Sequence, residues 1–127
     1  MPVNVKRIYD PVAETDGYRV LIDRLWPRGI KNDGSHIDKW LKDVAPSTAL
    51  RKWFNHEPDK WQSFLLKYQA EINGSPALEE LRSDILKHKT VTLLYAAKDQ
   101  QHNHALALRQ MIANPPGHNA SGTRISQ

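Results

Sequence analysis

Tyr18-Arg19-Val20-Leu21-Ile22-Asp23-Arg24-Leu25-Trp26-Pro27-Arg28-Gly29-Ile30 is the stretch whose reading decides the fold. Val20, Leu21 and Ile22 form a continuous β-favouring apolar run rather than an alternating one, the pattern of a strand buried on both faces. The polarity then reverses. Asp23, Arg24, Trp26 and Arg28 follow at once, while Pro27 biases Trp26 toward extended backbone and Gly29 permits a sharp exit. Charged and aromatic groups at the end of a buried strand cost folding stability, so this half of the stretch reads as a ligand loop.

A second run of the same kind, Thr90 to Ala97, predicts another central strand, followed immediately by Lys98, Asp99 and a polar turn. Val3 to Tyr9 predicts a first strand at a sheet edge. Between it and the organising stretch, Asp10 to Gly17 carries Pro and Asp-Gly turn chemistry. So short a connector favours a hairpin, yet eight extended residues reach roughly 26 Å, enough to return outside the sheet and leave the strands parallel. The sequence leaves both orientations open.

The segment between the two apolar runs is helical in pattern. Ile37, Trp40 and Leu41 predict a short helix over 37–43. Ser47 predicts an N-cap, with Leu50, Trp53 and Phe54 on the buried side of a helix ending near Asn55 or His56. Pro58 sits at a first helical position, and Trp61, Phe64, Leu65, Tyr68 and Ile72 make a long apolar stripe. Asn73-Gly74 closes that helix, and Ser75-Pro76 opens another with Leu78, Leu81 and Ile85 inward. A last helix spans about Asn103 to Asn114. Trp40, Trp53 and Trp61 fall on apolar stripes and read as core, with only Trp26 off-pattern, while His36, His88 and His118 read as solvent positions.

Two buried strands separated by about sixty residues of helix predict a small α/β layered domain, Rossmann-like. Its sheet is mostly parallel with three or four strands, joined by a right-handed crossover. Residues 1–113 form the single predicted domain and 114–127 a flexible tail with almost nothing to bury.

With 18 Lys and Arg against 14 Asp and Glu, the formal charge is +4, which favours anionic partners. The basic residues are interspersed with acids, as at Glu79, Glu80, Arg82 and Asp84, rather than gathered into the stripe of a nucleic-acid domain. The absence of Cys removes disulfides and thiolate chemistry and fits a reducing compartment. No apolar run reaches the ~20 residues of a membrane span, and the first residues lack a signal-peptide core, so the expected location is cytoplasmic.

Ligands of open α/β sheets sit outside the carboxyl ends of the strands. Parallel strands would gather Asp23, Arg24, Trp26 and Arg28 near Lys98 and Asp99. Arg24, Arg28 and Lys98 suit a small, phosphate-bearing anion, with Trp26 as a wall and Asp23 orienting an Arg. His56, at a helix end, is a candidate acid or base, so Asp23 and His56 are the catalytic candidates of a hydrolase or transferase. The structural alternative is an ion network among Asp23, Arg24 and Arg28 that anchors the crossover. A functional alternative is a nucleic-acid or protein interaction module using the basic surface. His102 and His104 are two residues apart, and so point to different faces of a helix, which disfavours a metal clip. No metal site and no cofactor are expected.

Several of these segments, Asp23 to Gly29, Ala45-Pro46-Ser47, Leu50 to Phe54 with His56, and Thr92 to Asp99 with Asn103-His104-Ala105, resemble the YeaO-like proteins of the bacterial domain of unknown function 488 family. The resemblance runs from about Val3 to Ile112. It implies a small cytosolic α/β domain with a parallel sheet and carries over no catalytic residue. Asn55 stands where the family pattern has Gly, which bears on the local turn.

Overall fold

The computed structural model describes residues 3–113. In chain order the elements are β1 (Val3–Arg7), β2 (Tyr18–Leu21), β3 (Lys39–Trp40), α1 (Thr48–Phe54), α2 (Trp61–Ile72), α3 (Pro76–Lys87), β4 (Val91–Tyr95) and α4 (His104–Ala113). The four strands pair in the order β1-β4-β2-β3, and every pairing is parallel. All five residues of β4 are buried, because β4 is bonded to a neighbour on each side and covered on both faces. That accounts for its unbroken apolar run.

The register aligns Val91 with Val3 and with Tyr18, so β1, β4 and β2 end their carboxyl termini side by side. The connection after β1 therefore returns outside the sheet, as the reach of the chain allows. Lys6 guides it, donating to the Pro11 carbonyl at 2.6 Å and to Asp16 at 3.1 Å. Asp16 also pairs with Arg19, and both are buried. A buried cation and carboxylate so paired satisfy each other's desolvated charge, and loss of either strands its partner.

The two faces of the sheet are covered differently. Val20, Ile22, Leu93 and Tyr95 pack with residues of all four helices, among them Phe54, Phe64, Leu81 and Leu108. On the opposite face Ile8, Leu21 and Leu94 pack against Trp26, Ile30, Ile37 and Ala96, which belong to loops. The helices thus lie on one side, whereas a doubly wound sheet carries them on both.

Residues 37–43, expected as a helix, instead form β3 and a 3₁₀ turn at Lys42–Val44. Ile37 packs into the loop-side cluster and Leu41 into the helix-side core, opposite faces that a single helical stripe cannot serve. Seven residues hold too few apolar positions for spacing to decide between the two. The main-chain bonds of this segment go to β2, from Asp38 to Arg19 and from Leu41 to Leu21, both 2.9 Å.

The helix boundaries follow the caps. Ser47 and Ser75 accept from Leu50 and Leu78 respectively, and Pro76 takes the first turn of α3. The tryptophans differ from expectation: Trp40 and Trp53 remain 39% and 38% exposed, and Trp61 is half-buried. The Lys60 and Lys67 ammonium groups lie 5.1 and 5.0 Å from the Trp53 ring centroid, two cation–π contacts rather than a core position. His88 and His36 are half-buried, His88 stacked on Tyr18 at 3.8 Å. The tail expected over 114–127, with His118, lies outside the described residues. Among the described residues no helix is long and apolar enough to cross a membrane.

Candidate functional site

At the carboxyl ends of β2 and β4 an open cleft of about 820 Å³ lies between the loop after β2, the start and end of α1, and the loop from β4 into α4. The size falls within the roughly 300–1,000 Å³ of small-molecule sites. Asp23, Arg24, Trp26, Arg28, Lys98 and His56 all line it. The parallel register brings the first five together, and the end of α1 adds His56.

Asp23 is hydrogen-bonded through one carboxylate oxygen, while its buried Oδ1 has no hydrogen-bond partner among the described residues. Its Oδ2 accepts the Ala96 N–H at 2.9 Å, tying the end of β2 to the end of β4. Its Oδ1 lies 3.0 Å from His104 Nε2, whose N–H is directed at the Ile22 carbonyl 3.1 Å away. A carbonyl only accepts, so Nε2 carries a proton. The carboxylate faces His104 rather than an arginine. Arg24 instead donates to the Ala45 and Pro46 carbonyls at 3.1 and 3.5 Å, bracing the wall in front of α1. Among the described residues no ion pair joins Asp23, Arg24 and Arg28, so the anchoring network considered from sequence does not form.

Tyr68 supports the same wall from beneath. Its hydroxyl donates to the Val44 carbonyl, and complete burial pushes its pKa far above the usual phenol range. Trp26 is half-buried, its indole N–H donating to the Ile30 carbonyl at 2.8 Å and its ring set edge-on to Trp40. Arg28 and Lys98 are exposed at the rim. The Arg28 main chain is located by the Tyr9 hydroxyl, which donates to its carbonyl at 2.9 Å.

The turn after α1 carries two consecutive left-handed residues, Asn55 with φ 47° and His56 with φ 54°. Asn55 is the helix C-cap, a position where left-handed backbone favours Gly and tolerates Asn. The departure from the family pattern there preserves the turn. His is, like Asn, enriched among the non-glycine residues at positive φ, yet a second consecutive left-handed residue still costs of order 1–3 kcal/mol.

Four groups of the cleft are absent from the ligand and catalytic candidates read from the sequence, where His102 and His104 are weighed only as a metal clip. Arg51 and Lys52 lie on the polar side of α1, where spacing marks them only as solvated. His102 and His104 flank Asn103, whose side chain caps α4 by accepting from Leu106 at 3.0 Å. His102 Nδ1 lies 3.2 Å from Asp99 Oδ2. Hydrogen bonds to Asp99 from the Gln101 N–H, then from the His102 N–H and ring, hold its carboxyl below the usual range against a smaller opposing effect of burial. The available signal was position: both histidines follow a central strand directly, where the switch-point rule places ligands.

Over residues 2–126 the sequence matches the family described as the inactive DUF488-N3 subclade. The chain belongs to that family. It is 45% identical over 112 residues to the uncharacterized protein YeaO of Escherichia coli K12, covering 88% of this chain and 97% of the relative. It is 41% identical over 110 residues to the uncharacterized protein Rv3073c of Mycobacterium tuberculosis H37Rv, and equally to Mb3100c of Mycobacterium bovis. Those matches cover 87% of this chain and 92% of each relative. No solved structure matches. The family resemblance read from Asp23 to Gly29 and from Thr92 to Asp99 therefore holds, and both segments border the cleft.

Proposed function

We propose that this chain is a binding domain for a small phosphate-bearing anion, held in the cleft at the carboxyl ends of β2 and β4. One observation carries the reading. Arg24, Arg28, Arg51, Lys52 and Lys98 all line the cleft, and among the described residues none of them is paired with a carboxylate. The two carboxylates that line it, Asp23 and Asp99, are engaged with main-chain N–H groups and with histidines. Unneutralised cations around one concavity favour an anion, and Arg supplies bidentate contacts to phosphate oxygens.

The description of the family as an inactive subclade supports binding without turnover over hydrolase or transferase chemistry. His56 then serves as a wall of the cleft and Asp23 as a structural tie rather than as catalytic groups.

The test is the melting temperature of the full chain against phosphate, sulfate, sugar phosphates, nucleotides and short oligonucleotides. A ligand present at a hundred times its Kd stabilises the fold by about 2.7 kcal/mol. We expect a saturable rise with one small anion, lost in Arg28→Ala/Lys98→Ala. Failure of every small anion to raise the melting temperature would overturn the reading. A response confined to oligonucleotides and falling steeply with salt would transfer it to a nucleic-acid module.

A further inference from the structure

Three histidines line the cleft, His56, His102 and His104, and their ring nitrogens differ in freedom. His104 has Nε2 committed to the Ile22 carbonyl. His56 is exposed, and among the described residues no carboxylate orients it. His102 is both oriented and open. Its Nδ1 meets Asp99 Oδ2 at 3.2 Å, and its ring stands edge-on to Trp61 with centroids 5.5 Å apart. Asp99 is fixed in turn, its Oδ1 accepting from the Gln101 and His102 N–H groups at 2.8 and 3.0 Å. An ionised carboxylate only accepts, so Nδ1 carries a proton and Nε2 is the free pole of the ring, without a partner among the described residues.

A neutral ring so held would present a lone pair to the cleft, and that lone pair would repel an anion's oxygen. A protonated ring presents an N–H. We propose that His102 Nε2 is the donor that completes the anion site, and that the site takes a phosphomonoester dianion with uptake of one proton. The inference rests on the anion reading above. The proton comes from solvent and settles on Nε2, giving an imidazolium hydrogen-bonded to a phosphate oxygen, with no covalent bond made or broken.

The surrounding charges support the coupling. Asp99 on the same loop favours the cationic ring, and Trp61, the neighbour on α2, carries no charge. Lys98, Arg24 and Arg28 at the strand ends and Arg51 and Lys52 on α1 oppose it in the empty cleft. A bound dianion offsets those cations and tips the balance toward protonation. Phosphomonoesters carry close to two charges at pH 7, because their second ionisation lies near pH 6, whereas phosphodiesters carry one. The dianion is therefore the better counterpart.

Isothermal titration calorimetry of the full chain with ribose 5-phosphate at pH 7.5, in two buffers of different ionisation enthalpy, tests this. We expect uptake approaching one proton per ligand, affinity falling by up to tenfold per pH unit on the alkaline side, and weaker binding of dimethyl phosphate. His102→Gln keeps a neutral donor and should bind more weakly, with no proton uptake and a flat alkaline profile. Binding of ribose 5-phosphate with buffer-independent heat and unchanged affinity in His102→Gln would overturn the inference and leave the anion reading standing. Equal affinity for dimethyl phosphate would overturn the dianion specificity. No binding of ribose 5-phosphate or of inorganic phosphate would overturn this inference, and the anion reading falls with it if the whole melting-temperature panel is silent too.

Discussion

Removing the Asp23 carboxylate tests whether it acts as a tie between elements. Asp23 accepts from Ala96 at 2.9 Å and faces His104 at 3.0 Å, with side-chain exposures of 16% and 15% for the two residues. A hydrogen bond to a charged acceptor contributes about 1.5–3 kcal/mol, and the close contact with His104 adds to it, so Asp23→Ala should cost about 2–4 kcal/mol. Asp23→Asn retains an acceptor for the Ala96 N–H and should cost less, about 1–2 kcal/mol. The decisive measurement is a double-mutant cycle with His104→Ala, followed by urea denaturation at pH 7. Residues in contact couple, and a value near 1 kcal/mol is expected here. Additivity within about 0.3 kcal/mol would mean the two side chains do not interact, and the tie from β2 to α4 would be refuted. The same variants separate structure from ligand binding. If Asp23 orients an arginine for a ligand, Asp23→Asn weakens anion binding; if it is a tie, loss of a negative charge from the cleft strengthens it.

Gly17 should accept no side chain: its φ is 66°, and a Cβ there would lie 2.3 Å from the Thr90 carbonyl oxygen, which bonds Tyr18 and starts the pairing of β2 with β4. Gly17→Ala should therefore lose about 3–5 kcal/mol from strain and forced separation combined, and an unchanged urea midpoint would contradict the geometry. Asp16 sets an acid limit. Burial raises its pKa, but the hydrogen bond from Ala13 and then the Lys6 and Arg19 cations more than offset this and leave it below the usual range. Its folded-state pKa is depressed, so its contribution is complete above the unfolded value of about 4 and is lost as pH falls through the folded one. The urea midpoint should drop below pH 4, with a shallower drop in Asp16→Asn. A flat wild-type profile down to pH 2.5 would be incompatible with the buried pair.

Reading the chain succeeded where burial leaves a direct trace. The unbroken runs at Val20 to Ile22 and Val91 to Tyr95 carried the central strands, and Ser47, Ser75 and Pro76 carried the helix starts, because capping chemistry is local. Strand ends at a shared level placed Asp23, Arg28 and Lys98 together. The reading failed where the partner is distant in sequence. Nothing near Asp23 announces that its counter-group is His104, 81 positions on, because that contact exists only once β4 and α4 are laid beside β2. Lys39-Trp40 likewise has no strand signature, since two residues pair with β2 through main-chain bonds alone. Trp40 and Trp53 misled because an indole on an apolar stripe can bury one face and leave the other to solvent or to lysine.

The polar groups of the cleft divide into two sets, and the division carries the functional argument. Asp23 through Oδ2, His104 through Nε2, Arg24 through one terminal guanidinium nitrogen and Asp99 through Oδ1 are hydrogen-bonded to main-chain atoms, so each fixes the position of a wall. Arg28, Arg51, Lys52 and Lys98 are exposed with no carboxylate partner among the described residues, and they bring like charges to one rim. That arrangement works against the empty fold, because cations around one concavity repel and no internal anion relieves them. Removing one of the rim cations should therefore leave the unliganded protein as stable as before or slightly more so, while removing a wall group should destabilise it. A purely structural cluster predicts the opposite ordering, with the rim cations contributing to stability through partners of their own. The sign of the stability change in Arg28→Ala without ligand thus separates a binding rim from a structural one before any ligand is identified.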